Sequence, residues 1–285
     1  MIGLASRDHV DHVTVPVSVV IPCFNCAKTL GRAFSSVLEQ TNFPAEILLV
    51  DDASDDNTRH LIKSFEKSHP GLVKGFFFDS NQGPSACRNF AWDNARYEYV
   101  AFLDSDDAWH PKKLELQIAW MLQNPYQPLV GHVCLEYTEG LEFFDKGAFR
   151  VCQYSVLDMV FSNRFSTPSI LVRRDISERF PEHMRYAEDY CLWLLICSRY
   201  KSLHKIDFPL AWYFKQPYGA SGLSSRLWAM ELGELSAFRV VWKNGGISTF
   251  VMIIGSCFSL LKFVRRFVYV NSRIYFYDIF HVRRE

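Results

Sequence analysis

The first hundred residues alternate short, almost unbroken apolar runs with longer segments whose apolar residues recur every three or four positions. The runs VSVVIP (17–22), EILLVD (46–51), VKGFFF (73–78) and YVAFLD (99–104) predict strands covered on both faces, because apolar side chains fill consecutive positions instead of alternate ones. Between them, 29–40, 58–68 and 84–95 carry helical spacing, and Pro84 stands where the first turn of a helix has no use for an N–H. Pro111 repeats the device ahead of KKLELQIAWMLQ. This is the βαβ rhythm of a mostly parallel sheet, in which ligands gather where strand carboxyl ends meet helix starts. Past residue 130 the rhythm breaks into a strand at 129–136, a loop-rich stretch, a strand near 169–173, a helix opening around Glu188 and helical character over 224–243.

The far end changes character. No residue from Asn244 to Leu261 is charged, and then Lys262, Arg265, Arg266, Arg273, Arg283 and Arg284 outnumber Asp278 and Glu285. An apolar stretch of about 17 residues is at the short limit for crossing a bilayer. Ser248, Gly255, Ser256 and Ser259 dilute it further. The expectation is a helix lying in a membrane surface with its basic flank on anionic headgroups, and the plain alternative is a buried last helix of the globule.

Composition narrows the classes. A chain of 285 residues with 49% hydrophobic content can bury a large core and is not disordered. With 31 basic and 31 acidic residues there is no global electrostatic case for nucleic acid. The eight cysteines lack the dense spacing of a disulfide scaffold, and MIGLASRDHVDHVTVP lacks the apolar core of a signal peptide. Both point to a reducing, cytoplasmic setting.

Three acidic clusters stand at strand ends or a helix start. Asp51-Asp52-Ala-Ser-Asp-Asp-Asn-Thr follows EILLV; capping explains one such acid, and the doubled Asp51 and Asp52 leave a carboxylate for a base N–H or a ribose hydroxyl. Asp104-Ser105-Asp106-Asp107 follows YVAFL, and carboxylates gathered at a strand tip call for a cation to offset their repulsion. Mg²⁺ or Mn²⁺ suits such oxygen ligands and can bridge to a diphosphate. Glu188-Asp189 opens an apolar helix, where one of the acids is free to serve as a general base. In NQGPSACRN, Arg88 sits one turn into a helix, placed for a phosphate or a base as well as for a surface ion pair.

In order and spacing, VSVVIPCFNCAKTLGRAFSSVLEQT, EILLVDDASDDNT, NQGPSACRN, YVAFLDSDDAWHPKKLELQ and AEDYCLWL resemble the family 2 glycosyltransferases, the inverting enzymes of GT-A fold, over about residues 15–215. The resemblance implies an α/β, Rossmann-like nucleotide-sugar-binding domain. It divides the chain into a donor half at 15–130 and an acceptor half at 131–223, to which the apolar, basic tail adds a C-terminal helical, membrane-associating segment at 224–285. It places Pro22 and Phe24 beside the donor uracil, with Asn25 in the turn that follows, and gives Asp52 a hydrogen bond to the base. Asp104 falls toward the ribose, Asp106 with Asp104 on the metal, Asp107 in support, and Arg88 near the nucleotide. Asp189 takes the part of catalytic base, with Glu188 its neighbour in positioning. The implied reaction is a metal-dependent hexosyl transfer from a UDP-sugar to a glycan hydroxyl, inverting the anomeric carbon. The segment beginning at Gln216 resembles bacterial enzymes of O-antigen, capsule or exopolysaccharide synthesis, which implies a polyprenyl-diphosphate-linked acceptor at the cytoplasmic face of the inner membrane.

Rival readings fare less well. A nucleotidyltransferase needs a glycine-rich basic phosphate loop where this chain has FNCAKT, and a non-catalytic binding subunit has no use for intact Asp104, Asp106 and Asp189. The Cys23-x-x-Cys26 spacing invites redox or zinc chemistry. Cys23 follows a strand instead of opening a helix, however, and no second ligand pair completes a zinc site.

Overall fold

The structure is a computed structural model describing residues 13–138, 149–214 and 226–281, with side chains described as far as residue 268. Residues 1–12 of the N-terminal stretch read for a signal peptide, the opening of the segment at Gln216 and the last basic residues lie outside it. Among the described residues, nine strands form one sheet in the order β3-β2-β1-β4-β8-β6-β9-β5, with β7 on the far side of β9. In chain order these are β1 (Val13–Cys23), β2 (Asn42–Asp51), β3 (Val73–Phe77), β4 (Tyr99–Phe102), β5 (Ala108–Trp109), β6 (Leu129–Glu136), β7 (Val151–Ser155), β8 (Leu171–Arg173) and β9 (Ser202–Tyr213).

The first four strands match the expected runs and pair in parallel. Their side chains divide by alternation between two cores: Val20, Leu48, Val50, Val100 and Phe102 point to one face, Val19, Ile21, Ile47, Leu49 and Ala101 to the other. Burial on both faces is why the runs read as continuous. Helices α1 (Leu30–Leu38), α2 (Thr58–Ser68) and α4 (Lys113–Gln123) supply the second core; α3 (Pro84–Asn94), α5 (Val156–Phe161), α6 (Glu188–Tyr200) and α7 (Leu227–Lys243) supply the first.

The expectation of a mostly parallel sheet holds only for that half. β8 joins β4 and β6 antiparallel, β5 and β7 join β9 antiparallel, and only β6 and β9 run parallel in the second half. β9 went unforeseen because Lys205, Asp207 and Pro209 interrupt its apolar residues, and its register against β6 shifts at His132 and Val133. The same sheet runs through both expected halves of the domain.

At the amino edge one buried acid fastens three elements. Glu46 accepts from Ser18 Oγ at 2.6 Å, from the Arg96 backbone N–H at 2.7 Å and from Arg96 Nε at 2.7 Å. At the other end of the domain, α7 and α8 (Thr249–His281) form a helical pair packed on α5 and α6. α7 approaches so closely that a Cβ on Gly233 would stand 2.5 Å from the carbonyl oxygen of Tyr186, just before Glu188. Backbone cannot yield to that contact as a side chain can. Gly233→Ala is expected to cost about 1–3 kcal/mol, the usual penalty of overpacking. Gly31→Ala, whose Cβ would meet nothing within 4 Å, should match or exceed the parent. Equal melting temperatures for the two variants would show that α7 has room to move.

Candidate active site

The site lies along the carboxyl edge of the sheet, where β1, β2 and β4 end side by side. Register fixes this: Cys23 at the end of β1 faces Asp51 at the end of β2. Leu103, just past β4, donates its N–H to Val20 O. The loops that continue from these ends are cross-linked. Asn25 Oδ1 accepts the N–H of Asp55 at 2.8 Å, Ser54 Oγ accepts the N–H of Asn25 at 3.0 Å, and Asp56 Oδ2 accepts the N–H of Ala27 at 3.0 Å. Asn25 and Ala53 both adopt left-handed backbone, at φ 48° and 60°. That conformation costs a non-glycine residue energy, and it persists because the cross-links hold it.

Asp52 is buried, and its two oxygens accept the N–H groups of Gln82 and Gly83 at 2.7 and 2.8 Å. It therefore anchors the loop leading into α3, and its carboxylate keeps further lone pairs for another donor. Phe24 exposes 48% of its surface beside this acid's strand end, an open ring face. Two residues expected against the nucleotide also engage neighbouring protein groups. Asp51 is buried and paired through Oδ2 with Arg59 Nε at 2.6 Å, while its Oδ1 is buried with no hydrogen-bond partner among the described residues. Asn25 spends its side-chain oxygen on the neighbouring loop. Pro22 holds its place near the end of β1.

The centre of the site is Arg88. Buried on α3, it donates from Nη2 to Asp104 Oδ1 at 2.7 Å and from Nη1 to Glu188 Oε1 at 3.3 Å, joining residues far apart in the chain. Its guanidinium also stands 5.3 Å from the Phe180 ring. Burial alone would lower its pKa, but the Asp104 and Glu188 charges outweigh that and raise it. Asp189 follows, with Oδ1 accepting its neighbour Tyr190's N–H at 2.6 Å and Oδ2 accepting from Thr167 Oγ1 at 3.4 Å. Ala187, immediately before the acidic pair, is left-handed at φ 55°. Burial and the charge of Asp189 push Glu188 up to about 7, and burial raises Asp189 as well. The structure thus draws Arg88, Asp104, Glu188 and Asp189 together. Thr167, on a short 3₁₀ turn (Thr167–Ser169), is the member that sequence reasoning missed; nothing about a lone Thr-Pro-Ser signals it.

Asp104, Ser105 and Asp106 are half-buried and Asp107 is buried, so the turn presents its first acids outward. Among the described residues no group of three or more His, Cys, Asp or Glu is gathered around a metal position. Two accessible carboxylates fit a hard cation that completes its shell with water and substrate phosphates. Behind the turn lies Cys26. A hydrogen bond from Cys23 holds its thiol down to about 7 despite burial, with Ser105 and Thr58 adding to the effect, while burial pushes Cys23 well up. Both are free thiols. The pair is therefore part of the floor under the acidic turn, a placement the spacing alone did not disclose.

Comparison with known proteins agrees with this geometry. The Glycosyl transferase family 2 model matches residues 18–173, and the chain belongs to that family. An uncharacterised glycosyltransferase of Rickettsia conorii is 33% identical over 204 residues, covering 68% of this chain and 32% of its own length. The chain thus spans about a third of that relative. The UDP-Glc:alpha-D-GlcNAc-diphosphoundecaprenol beta-1,3-glucosyltransferase WfgD of Escherichia coli is 30% identical over 200 residues, covering 65% of this chain and 76% of its own. In fold, the chain is similar to a mannosyltransferase of Pyrobaculum calidifontis solved with GDP-Man and Mn²⁺, at a TM-score of 0.64 and 16% identity, covering 90% of this chain and 75% of that one.

The raised Glu188 has a consequence for stability. Between its ordinary 4.5 and about 7 the folded protein holds a proton that the unfolded chain has released. Stability therefore falls as pH rises through that window and levels off above it. Urea unfolding at pH 5 and pH 7.5, with chelator present, should show a smaller loss in Glu188→Gln than in the parent. Identical losses would mean that Glu188 titrates as an ordinary carboxylate.

Proposed function

We propose that the protein transfers a hexose from a UDP-sugar to a hydroxyl of a glycan acceptor, inverting the anomeric carbon, in the synthesis of a cell-surface polysaccharide. The observation that carries this reading is the Arg88 bridge, which sets the acidic turn beside the Glu188-Asp189 pair. On this reading the uracil lies against Phe24 and Pro22, its N–H shared with Asp52, and the ribose falls toward Asp104. Asp189 takes the proton of the acceptor hydroxyl. The freed oxygen then attacks the anomeric carbon opposite the diphosphate, and the electrons of the breaking C–O bond pass to UDP. A raised pKa suits Asp189 to this work, since a base poised nearer neutrality binds the transferred proton more firmly. Glu188, fixed by Arg88, positions its neighbour. Asp106 and Asp104 would hold Mg²⁺ or Mn²⁺, which when bound neutralises charge on the leaving diphosphate.

Two variants test the assignment together. Asp189→Asn should abolish transfer, by about 10²–10⁴-fold for loss of a general base, and keep UDP affinity. Asp106→Ala should lose the Mn²⁺-dependent part of UDP binding. Measurable transfer at the parent rate in the first, or unchanged Mn²⁺ dependence in the second, would sink the corresponding role. A non-catalytic binding subunit predicts that Asp189→Asn changes nothing.

The acceptor is proposed to be a sugar on a polyprenyl diphosphate, the kind of acceptor that WfgD is named for, with the enzyme peripheral on the cytoplasmic membrane face. No helix among the described residues is long and apolar enough to cross a membrane. α8 instead exposes Phe250, Ile254, Cys257, Leu261, Val264 and Val268, spaced three or four apart along one face, with Arg265 exposed beside them. An apolar face with a basic flank suits the surface of an anionic bilayer. The full chain should sediment with vesicles containing phosphatidylglycerol and stay in solution with the double variant Leu261→Asp, Val264→Asp. Co-sedimentation of the variant at the parent level would remove α8 from the membrane contact.

A further inference from the structure

We propose that a cavity on the other side of the acidic turn is a second carbohydrate subsite, holding a pyranose ring of the acceptor glycan beyond the sugar that reacts. The proposal rests on the reading of the acceptor as a glycan. The cavity has a volume of about 310 Å³, at the lower end of the range for small-molecule sites. It lies between α1 and the ends of β5, β6 and β9, and its walls include Trp109, Trp212, Tyr137 and Phe214, with Arg32 and Glu39 contributed by α1.

The chemistry of that wall matches a sugar better than other ligands of its size. A pyranose has apolar faces of C–H groups and a rim of hydroxyls, so it needs flat aromatic surface together with hydrogen-bonding groups of both kinds. The aromatic wall is held in place: Trp109 is buried with its indole N–H donated to Pro168 O at 2.9 Å, and Phe214 lies between Arg32 and the Tyr137 ring, which stacks on it at 4.6 Å and 20° and is itself exposed. Tyr and Trp provide such a platform because each joins a large flat ring to a polar atom. Arg32 supplies donors and Glu39 acceptors, and their opposite charges leave no net attraction for a phosphate or a cation.

Position adds the second argument. β6 and β9 run parallel to each other, and β6 reaches β4 through the two antiparallel pairings of β8, so both end on the edge that carries Asp52 and Asp104. Tyr137 and Phe214 stand just past those ends, where Tyr137 N–H donates to Tyr213 O at 2.8 Å. Arg32 connects the two places. Its guanidinium lies 3.6 Å from the centre of the Phe214 ring, and its Nη2 donates to the backbone oxygen of Asp106. A sugar at the edge of the Tyr137–Phe214–Arg32 stack therefore borders the same side chain that braces the acidic turn.

Saturation-transfer NMR on the full chain tests this with methyl β-D-glucopyranoside, methyl β-D-galactopyranoside and methyl N-acetyl-β-D-glucosaminide as probes, each with and without saturating UDP. At least one glycoside should receive saturation at its ring C–H protons, keep it with UDP bound, and bind at least threefold more weakly to Tyr137→Ala and Glu39→Ala. Both side chains are exposed, so the variants should melt with the parent. No transfer to any probe, transfer abolished by UDP, or transfer unchanged in both variants would overturn the subsite. UDP affinity is read separately: its absence from the parent would fault the donor reading, while the glycoside signals would still decide for or against the cavity.

Discussion

The site depends on one buried positive charge. Arg88 has given up water on α3, and a guanidinium in that position must find carboxylates or cost several kcal/mol. It finds two, one at the tip of β4 and one at the start of α6, and its planar fork lets a single side chain satisfy both. The relation is mutual. Asp104 and Glu188 would repel each other across the cleft without the cation between them, and Glu188 already titrates high from burial and from Asp189. The arrangement that neutralises Arg88 is the one that brings the acidic turn after β4 and the start of α6 to a common centre. A lysine, with one point charge, could not hold both.

Around that centre the backbone is strained and then held. Asn25, Ala53 and Ala187 lie in left-handed conformation at the turn after β1, the turn after β2 and the entry to α6. Such positions carry a cost of the order of 1–3 kcal/mol each, and they cluster where geometry must be fixed before a ligand arrives. The compensation is visible in the hydrogen bonds among residues 25–27 and 54–58 and in the double acceptance by Asp52. Asp52 illustrates how one residue can serve two purposes, since accepting two backbone N–H groups fixes a loop and still leaves lone pairs for a further donor.

What could be read from the chain followed from how evenly its environment is written in it. β1, β2 and β4 are buried on both faces, so their residues are uniformly apolar and their ends, with Asp52 and Asp104, fall at predictable places. β9 is buried irregularly along its length, with Lys205 Nζ bonded to Arg164 O and a register shift opposite Pro209, and no periodicity survives that. The two-residue β5 is too short to carry a pattern. The place of the Glu188-Asp189 pair was legible because it opens an apolar helix, whereas the placing of Thr167 beside Asp189 and the left-handed alanines were not, since each is defined by a contact or an angle made elsewhere. Asp51, beside Asp52, is turned by alternation along β2 so that one of its oxygens meets Arg59, a partner that its place in the chain does not disclose.

The same logic applies to the two ends of the molecule that sequence reasoning kept apart. The C-terminal helices read as an appendage because their apolar content is set off from the α/β rhythm. Yet α7 meets the entry to α6 directly: a Cβ at Gly233 would stand 2.5 Å from the carbonyl oxygen of Tyr186, and Phe238 packs its ring on Tyr190 at 5.9 Å. α7 in turn is fastened to α8 by Lys262 and Glu234 at 2.9 Å. The helix proposed to rest on the membrane and the loop proposed to carry the base are therefore separated by a single helix, with close packing on both sides. Close packing transmits displacement from one helix to the next. A lipid-linked acceptor would then be met by a base whose position is referred, through α7, to the surface from which that acceptor comes.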